Sequence, residues 1–188
     1  MRVYYDTEFL ENGETIRLIS IGLVREDGTK LYRVIHDIEL MYEVVNHNWL
    51  RHNVFPSLPM KFSENQHGVE IDWSHPEVSA VQSREQIAED VKRFLVDTPN
   101  LELWAYYSAY DHVALCQLFG RMIDLPTGIP MYTNDLRSEI QRMGNIRVPE
   151  QAGGHHNALA DATWNKDTHE YLQGLQRAKE SIFRPYGG

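Results

Sequence analysis

The chain has 188 residues, of which 42% are hydrophobic and one is a cysteine, and 18 basic residues against 27 acidic ones give a net charge of −9. That size and apolar content suit one globular domain, and the lone Cys116 excludes an internal disulfide or a multi-cysteine zinc site; in its apolar helical stretch it reads as a buried, inert thiol. The acidic balance excludes a protein that grips nucleic acid through a broad basic surface, but not an enzyme that meets a strand end with a local basic patch.

The chain opens on Met-Arg-Val-Tyr-Tyr-Asp-Thr-Glu-Phe-Leu. Val3 to Tyr5 reads as a short strand that runs straight into Asp6, Thr7 and Glu8. Side chains alternate on an extended chain, so Asp6 and Glu8 project to one side and Thr7 to the other. Two carboxylates in one small space repel unless something positive sits between them, and a hard divalent cation such as Mg²⁺ or Mn²⁺ suits them. The plainer alternative is a strand end with two solvated acids.

A polar turn over 10–14 leads to an aliphatic strand at 17–24, an Asp27-Gly28 hairpin turn and an alternating strand at 30–35. These predict an antiparallel meander in which the opening strand can be central. Residues 39–53 read as a helix stopped by Pro56 and Pro59, and 61–80 as a surface loop or small insertion. A helix follows Ser83, with Gln86 completing a capping box and Ile87, Val91, Phe94 and Leu95 as its apolar stripe. Residues 101–107 read as a buried strand with Trp104 in the core, 110–119 and 134–143 as helices, and 145–155 as a mobile loop carrying Gly153 and Gly154. A long helix spans 157–181, and the tail at 185–188 reads as frayed. Without a repeat or linker, residues 1–188 form a single domain of α/β class, a mixed β-sheet flanked by α-helices. No run approaches 18 apolar residues and no basic, apolar leader is present, so a cytoplasmic protein with no membrane partner is expected.

Acids collect at two further element ends. Asp111 sits at a strand-to-helix junction, where the positive end of the helix dipole favours an ionised carboxylate. The stretch His155-His-Asn-Ala-Leu-Ala-Asp161 holds the third acid. Five steps at 3.6 residues per turn leave His156 and Asp161 about 140° apart on one helix, so His156 must lie on the entering loop to share a site with Asp161. Taken singly, each piece is also what a solvated helix start looks like.

Together the three pieces resemble the DEDDh family of 3'-to-5' exonucleases, which has a ribonuclease H-like fold. Asp6-Thr7-Glu8 matches its first motif, Asp111 after the aromatic Tyr110 its second, and His156 with Asp161 its third, in the family's order. A closer resemblance, through residues 5–9, Trp104, 110–118 and 54–59, is to the small mycobacterial-type exoribonucleases of that family. Tyr106 and Tyr107 stand where many members carry a His-Asn pair. The sister class with a Tyr four residues before its last Asp is excluded, since Asn157 stands there.

The resemblance implies two divalent cations, Mg²⁺ or Mn²⁺, about 4 Å apart, balancing the charge of Asp6, Glu8, Asp111 and Asp161. One would be shared by Asp6, Glu8 and Asp161. The other would be bound by Asp6, with Asp111 acting on it through water. His156, with an ordinary pKa of about 6.5, is the candidate general base. The implied reaction removes nucleoside 5'-monophosphates from 3' ends, with RNA favoured over DNA and a homodimer possible. Thr7, Phe9, Leu10 and Tyr110 are the candidate substrate contacts, Phe9 and Leu10 stacking on or wedging the terminal base, although Phe9 reads equally well as core. Arg137, Arg142 and Arg147 are candidates for a phosphate-holding patch. Trp49, His47 and His52 read as a packed helix, with a zinc site or a cleft edge as alternatives. Rival functions are a DNA exonuclease of the same family, an internally cutting nuclease, and a catalytically idle domain that binds nucleic acid or protein.

Overall fold

The computed structural model describes residues 1–64 and 68–183, so the tail expected to fray at 185–188 lies outside the described residues. The meander is present as β1 (Arg2–Glu11), β2 (Ile16–Arg25) and β3 (Lys30–Ile35). Gly28 makes the second turn at φ +91°, a region closed to most side chains. The helix expected over 39–53 is two, α1 (Ile38–Asn46) and α2 (Asn48–Asn53). His47 breaks it by taking an extended backbone, and its Nδ1 accepts the Leu50 amide to start the second helix.

The stretch expected as an irregular loop holds a small antiparallel hairpin, β4 (Met60–Phe62) with β5 (Val69–Ile71). β6 (Val81–Gln82) and α3 (Arg84–Val96) follow. Ser83 caps α3 by accepting the Gln86 amide, but the Gln86 side chain donates to Asp90 instead of closing a capping box. Next come β7 (Glu102–Ala105) and α4 (Ala109–Gln117). The helix expected from 134 starts later, because Asn134–Asp135 forms the short edge strand β8 beside β7. Asp135 then caps α5 (Leu136–Arg142) by accepting the Ser138 amide at 2.6 Å. α6 (Ala158–Phe183) ends the described chain.

Among the described residues, one six-stranded mixed sheet has the order β6-β3-β2-β1-β7-β8, which places β1 near its centre as expected. Alternation along β1 divides the two layers. Tyr4 meets His169 of α6 on one face, whereas Tyr5 approaches His112 of α4 on the other. Val3, Tyr5, Ile21, Leu23, Val34, Ile87 and Leu115 belong to one contiguous buried core. Burial raises the Cys116 thiol pKa, in keeping with an inert thiol. Trp104, expected in the core, is only half-buried and rests its ring 4.0 Å from that of His169. Among the described residues, no helix is long and apolar enough to cross a membrane.

Candidate active site

β1 is ten residues long, but β7 runs beside it only from Arg2 to Tyr4. Beyond Tyr4 the edge of β1 facing β7 has no strand to pair with, so a crevice opens outside the carboxyl end of β7, where open α/β sheets place their ligand sites. The chain fills it. β7 gives way to α4 through Tyr106–Ser108, and Asp111 in the first turn of α4 takes over the orphaned β1 groups. Its Oδ1 accepts both the Thr7 amide at 2.9 Å and the Thr7 hydroxyl at 2.6 Å. Thr7 points away from Asp6 and Glu8, as alternation requires, and so holds Asp111 from the opposite layer.

Asp6 and Glu8 face α6. Asp6 pairs with Gly22 of β2, and a Cβ on that glycine would lie only 2.3 Å from the Ala158 carbonyl oxygen. Without it, the backbone at the start of α6 rests directly on the sheet. Asn165 secures the helix by donating to the Tyr5 carbonyl at 3.1 Å. Asp161, one turn earlier on the same helix face, is thereby brought over the β1 acids.

His156 lies on the entering loop, as the spacing demanded, with a left-handed backbone at φ +61°. This costs a non-glycine residue of order 1 kcal/mol or more and persists only where neighbours enforce it. Three do so here. Its amide donates to Asp161 Oδ2 at 2.9 Å, its carbonyl accepts the Ser57 hydroxyl at 2.8 Å, and its ring meets the Trp49 ring edge-on at 4.8 Å. Ligand atoms of Glu8, His156 and Asp161 lie within 4.8 Å of one another. Gln151 donates to the other Asp161 oxygen at 2.7 Å and to the Gly153 carbonyl, and Trp164 Nε1 donates to the Pro149 carbonyl. The loop expected to be mobile is therefore tied at several points.

The electrostatics are those of clustered carboxylates, relieved only in part by His156 and His155 beside Asp161. Among the described residues, no ion pair engages Asp6, Glu8, Asp111 or Asp161. Burial, with repulsion from Asp111, Glu8 and Asp161, pushes the Asp6 carboxyl well above the usual range. Burial and the charges of Asp161 and Asp111 push Glu8 up to about 8. Burial raises Asp111 to about 6 against the opposing Thr7 hydrogen bonds, and it raises Asp161. Carboxylate oxygens that repel one another, with no Lys or Arg paired to them among the described residues, form the donor set that hard divalent cations prefer. The residues present fit such ions.

Phe9 and Tyr110 meet at 5.8 Å, and Phe9 and Leu10 pack against the core, as the core reading of Phe9 expected. The arginines expected as a phosphate patch are engaged locally: Arg142 with Glu139, Arg147 with Glu150, and Arg137 with Asn145. His47 caps α2 and His52 bonds the Asn48 carbonyl, while the Trp49 ring meets that of His156 edge-on. Sequence reasoning passed over Ser57, Gln151, Tyr106 and Trp164. Of these Trp164 had a signal, since it falls three residues after Asp161 on one helix face.

A family model described as the 3'-5' exoribonuclease Rv2179c-like domain matches residues 1–173. The 3'-5' exoribonuclease Rv2179c of Mycobacterium tuberculosis (strain ATCC 25618 / H37Rv) is 43% identical over 164 residues, covering 86% of this chain and 87% of that protein. Among solved structures, E. coli exonuclease I in complex with a dT13 oligonucleotide has a TM-score of 0.58 at 11% identity, over 96% of this chain and 42% of that one. The S. pombe Pop2p structure in its Mg²⁺- and Mn²⁺-bound form has a TM-score of 0.54 at 14% identity, over 92% and 82%. This chain thus spans less than half the length of exonuclease I. At such identities the likeness is one of fold, the ribonuclease H-like mixed sheet with flanking helices.

Proposed function

The chain belongs to the family of 3'-5' exoribonuclease Rv2179c-like domains, and from that premise we propose that it hydrolyses the last phosphodiester at an RNA 3' end, releasing a nucleoside 5'-monophosphate. The observation that carries this reading is the convergence of Asp6, Glu8, Asp111 and Asp161 from β1, α4 and α6 with no Lys or Arg paired to them among the described residues. In this reading the four acids hold two divalent cations, Mg²⁺ or Mn²⁺. When bound, such ions neutralise the cluster, polarise the phosphate and lower the pKa of the attacking water.

The protein's own groups divide the remaining work. Thr7 fixes Asp111, and Gln151 with the His156 amide fixes both oxygens of Asp161. The His156 imidazole takes the proton of the attacking water. The bond from phosphorus to the penultimate 3' oxygen breaks as the bond to the water oxygen forms, and the departing oxygen gains its proton from solvent. Phe9, Leu10 and Tyr110 receive the terminal nucleoside. The preference for RNA over DNA rests on the family and on the relative's name; a cytoplasmic location and a homodimer belong to the same reading, the latter checked by sedimentation.

End-labelled RNA and DNA oligonucleotides, incubated with and without Mn²⁺, test the proposal. The expected result is a ladder of mononucleotide release from RNA that needs the cation and disappears in Asp6→Ala. Release from DNA alone would reassign the substrate, and early internal fragments would make the protein an endonuclease.

A further inference from the structure

The acid cluster has aromatic groups on two flanks. Phe9 and Tyr110 adjoin Glu8 and Asp111 in the chain. Asp6, Asp161 and His156 themselves line a cleft of about 550 Å³, which Tyr106, Pro149 and Trp164 also line. Phe9 and Tyr110 are not among its walls. Hydrolysis of a terminal phosphodiester puts the phosphorus at the acids, with the released nucleoside to one side and the penultimate nucleoside, whose 3' oxygen departs, to the other. If the first flank takes the terminal base, the second has the position and the volume for its neighbour.

The walls suit a flat heterocycle. The Tyr106 and Trp164 rings meet at 5.2 Å with an interplanar angle of 76°, forming a corner in which a base can lie on one face against the edge of the other ring. The hydrogen bond from Trp164 Nε1 to the Pro149 carbonyl, 3.0 Å long, holds that ring in place before any ligand arrives. Two amides at the cleft are already engaged, Gln151 with Asp161 and Gly153, and Asn165 with the Tyr5 carbonyl. Recognition by ring faces tolerates any base.

We propose that this cleft is a second nucleobase subsite, in which Tyr106 and Trp164 stack the penultimate base of the RNA. The proposal rests on the exoribonuclease reading. It is tested with RNA trinucleotides carrying adenine or an abasic residue at either the middle or the 3'-terminal position. For the wild type, kcat/KM should favour a middle adenine over a middle abasic residue about tenfold, the size expected of one base on an aromatic platform. Tyr106→Ala and Trp164→Ala should each collapse that ratio to about one while keeping the ratio measured at the 3'-terminal position. Phe9→Ala should do the reverse, and Trp164→Phe, which keeps a ring, should retain most of the middle-position ratio.

A middle-position ratio of one in the wild type, or a wild-type ratio retained by both alanine variants, would overturn the proposal. So would loss of the terminal-position ratio instead, which would put the released nucleotide in this cleft. Equal losses in Trp164→Phe and Trp164→Ala would assign the effect to the Pro149 hydrogen bond and also overturn it. A wild-type protein that releases no mononucleotide from any trinucleotide would bring down the parent reading, a failure recognisable before any variant is made.

Discussion

The two strand acids and the imidazole beside them are held in opposite ways. Asp6 and Glu8 ride on a central strand paired in register with β2, and Asp111 is bonded to the same strand through Thr7. The relative positions of Asp6 and Glu8 follow from local backbone geometry, whereas Asp111 meets Thr7 from 104 residues away in the chain. His156 sits on a loop residue in a left-handed conformation, maintained by Ser57 and Trp49 from about a hundred residues away in the chain. The strand acids repel one another where they sit, and the imidazole sits on a left-handed backbone that depends on supports distant in the chain. The site thus has two of its acids on the sheet and its imidazole on a propped loop.

The contrast can be broken most forcefully at Asp6. Asp6→Asn should lower RNA hydrolysis by about 10³-fold or more, because it removes a ligand common to both expected cations. The same change should raise the melting temperature in EDTA at pH 8, because it removes one of the mutually repelling carboxylates. An activity loss accompanied by lower stability at that pH would contradict the electrostatic account. His156→Asn should cost roughly 10² to 10⁴-fold in kcat, the range of a lost general base. Calorimetric uptake of Mn²⁺ should survive that change, in contrast with Asp6→Asn.

The pH dependence sharpens the same point. Glu8 titrates at about 8 in the folded chain against an ordinary 4.5, so the folded state holds more protons than the unfolded one between those values. Stability of the cation-free protein should therefore fall as pH rises from about 4.5 to 8. Added Mn²⁺ at one hundred times its dissociation constant should restore about 2.7 kcal/mol, or roughly 5–10 °C in melting temperature for a chain of this size. A melting temperature in EDTA that climbs over this window would refute the assignment. The smallest effect is expected at the prop. Ser57→Ala should lower kcat by roughly 3- to 10-fold with KM little changed, since it loosens His156 without touching the acids.

Those supports also mark where the sequence stopped being readable. Strand alternation put Asp6 and Glu8 on one face, the strand-to-helix junction located Asp111, and helix arithmetic sent His156 to the entering loop. Each inference needed only neighbours within a few residues. The hairpin of β4 and β5 escaped notice because three-residue strands offer too few alternations to register as a period. Asn134 and Asp135 continue a helical pattern and are drawn into an edge strand only by the presence of β7. The break at His47 depends on an imidazole acting as a helix cap, a role outside the usual Ser, Thr, Asp and Asn signals. Ser57, Gln151 and Tyr106 acquire their roles only when the chain closes on itself.

Gly22 carries a consequence for how this centre can vary. Because a single hydrogen there separates the sheet from the Ala158 carbonyl, the gap that Asp161 must bridge to reach Asp6 is gauged by the smallest spacer a protein chain possesses. Any larger residue would act as a shim beneath the helix, spreading the cluster before a single carboxylate was altered.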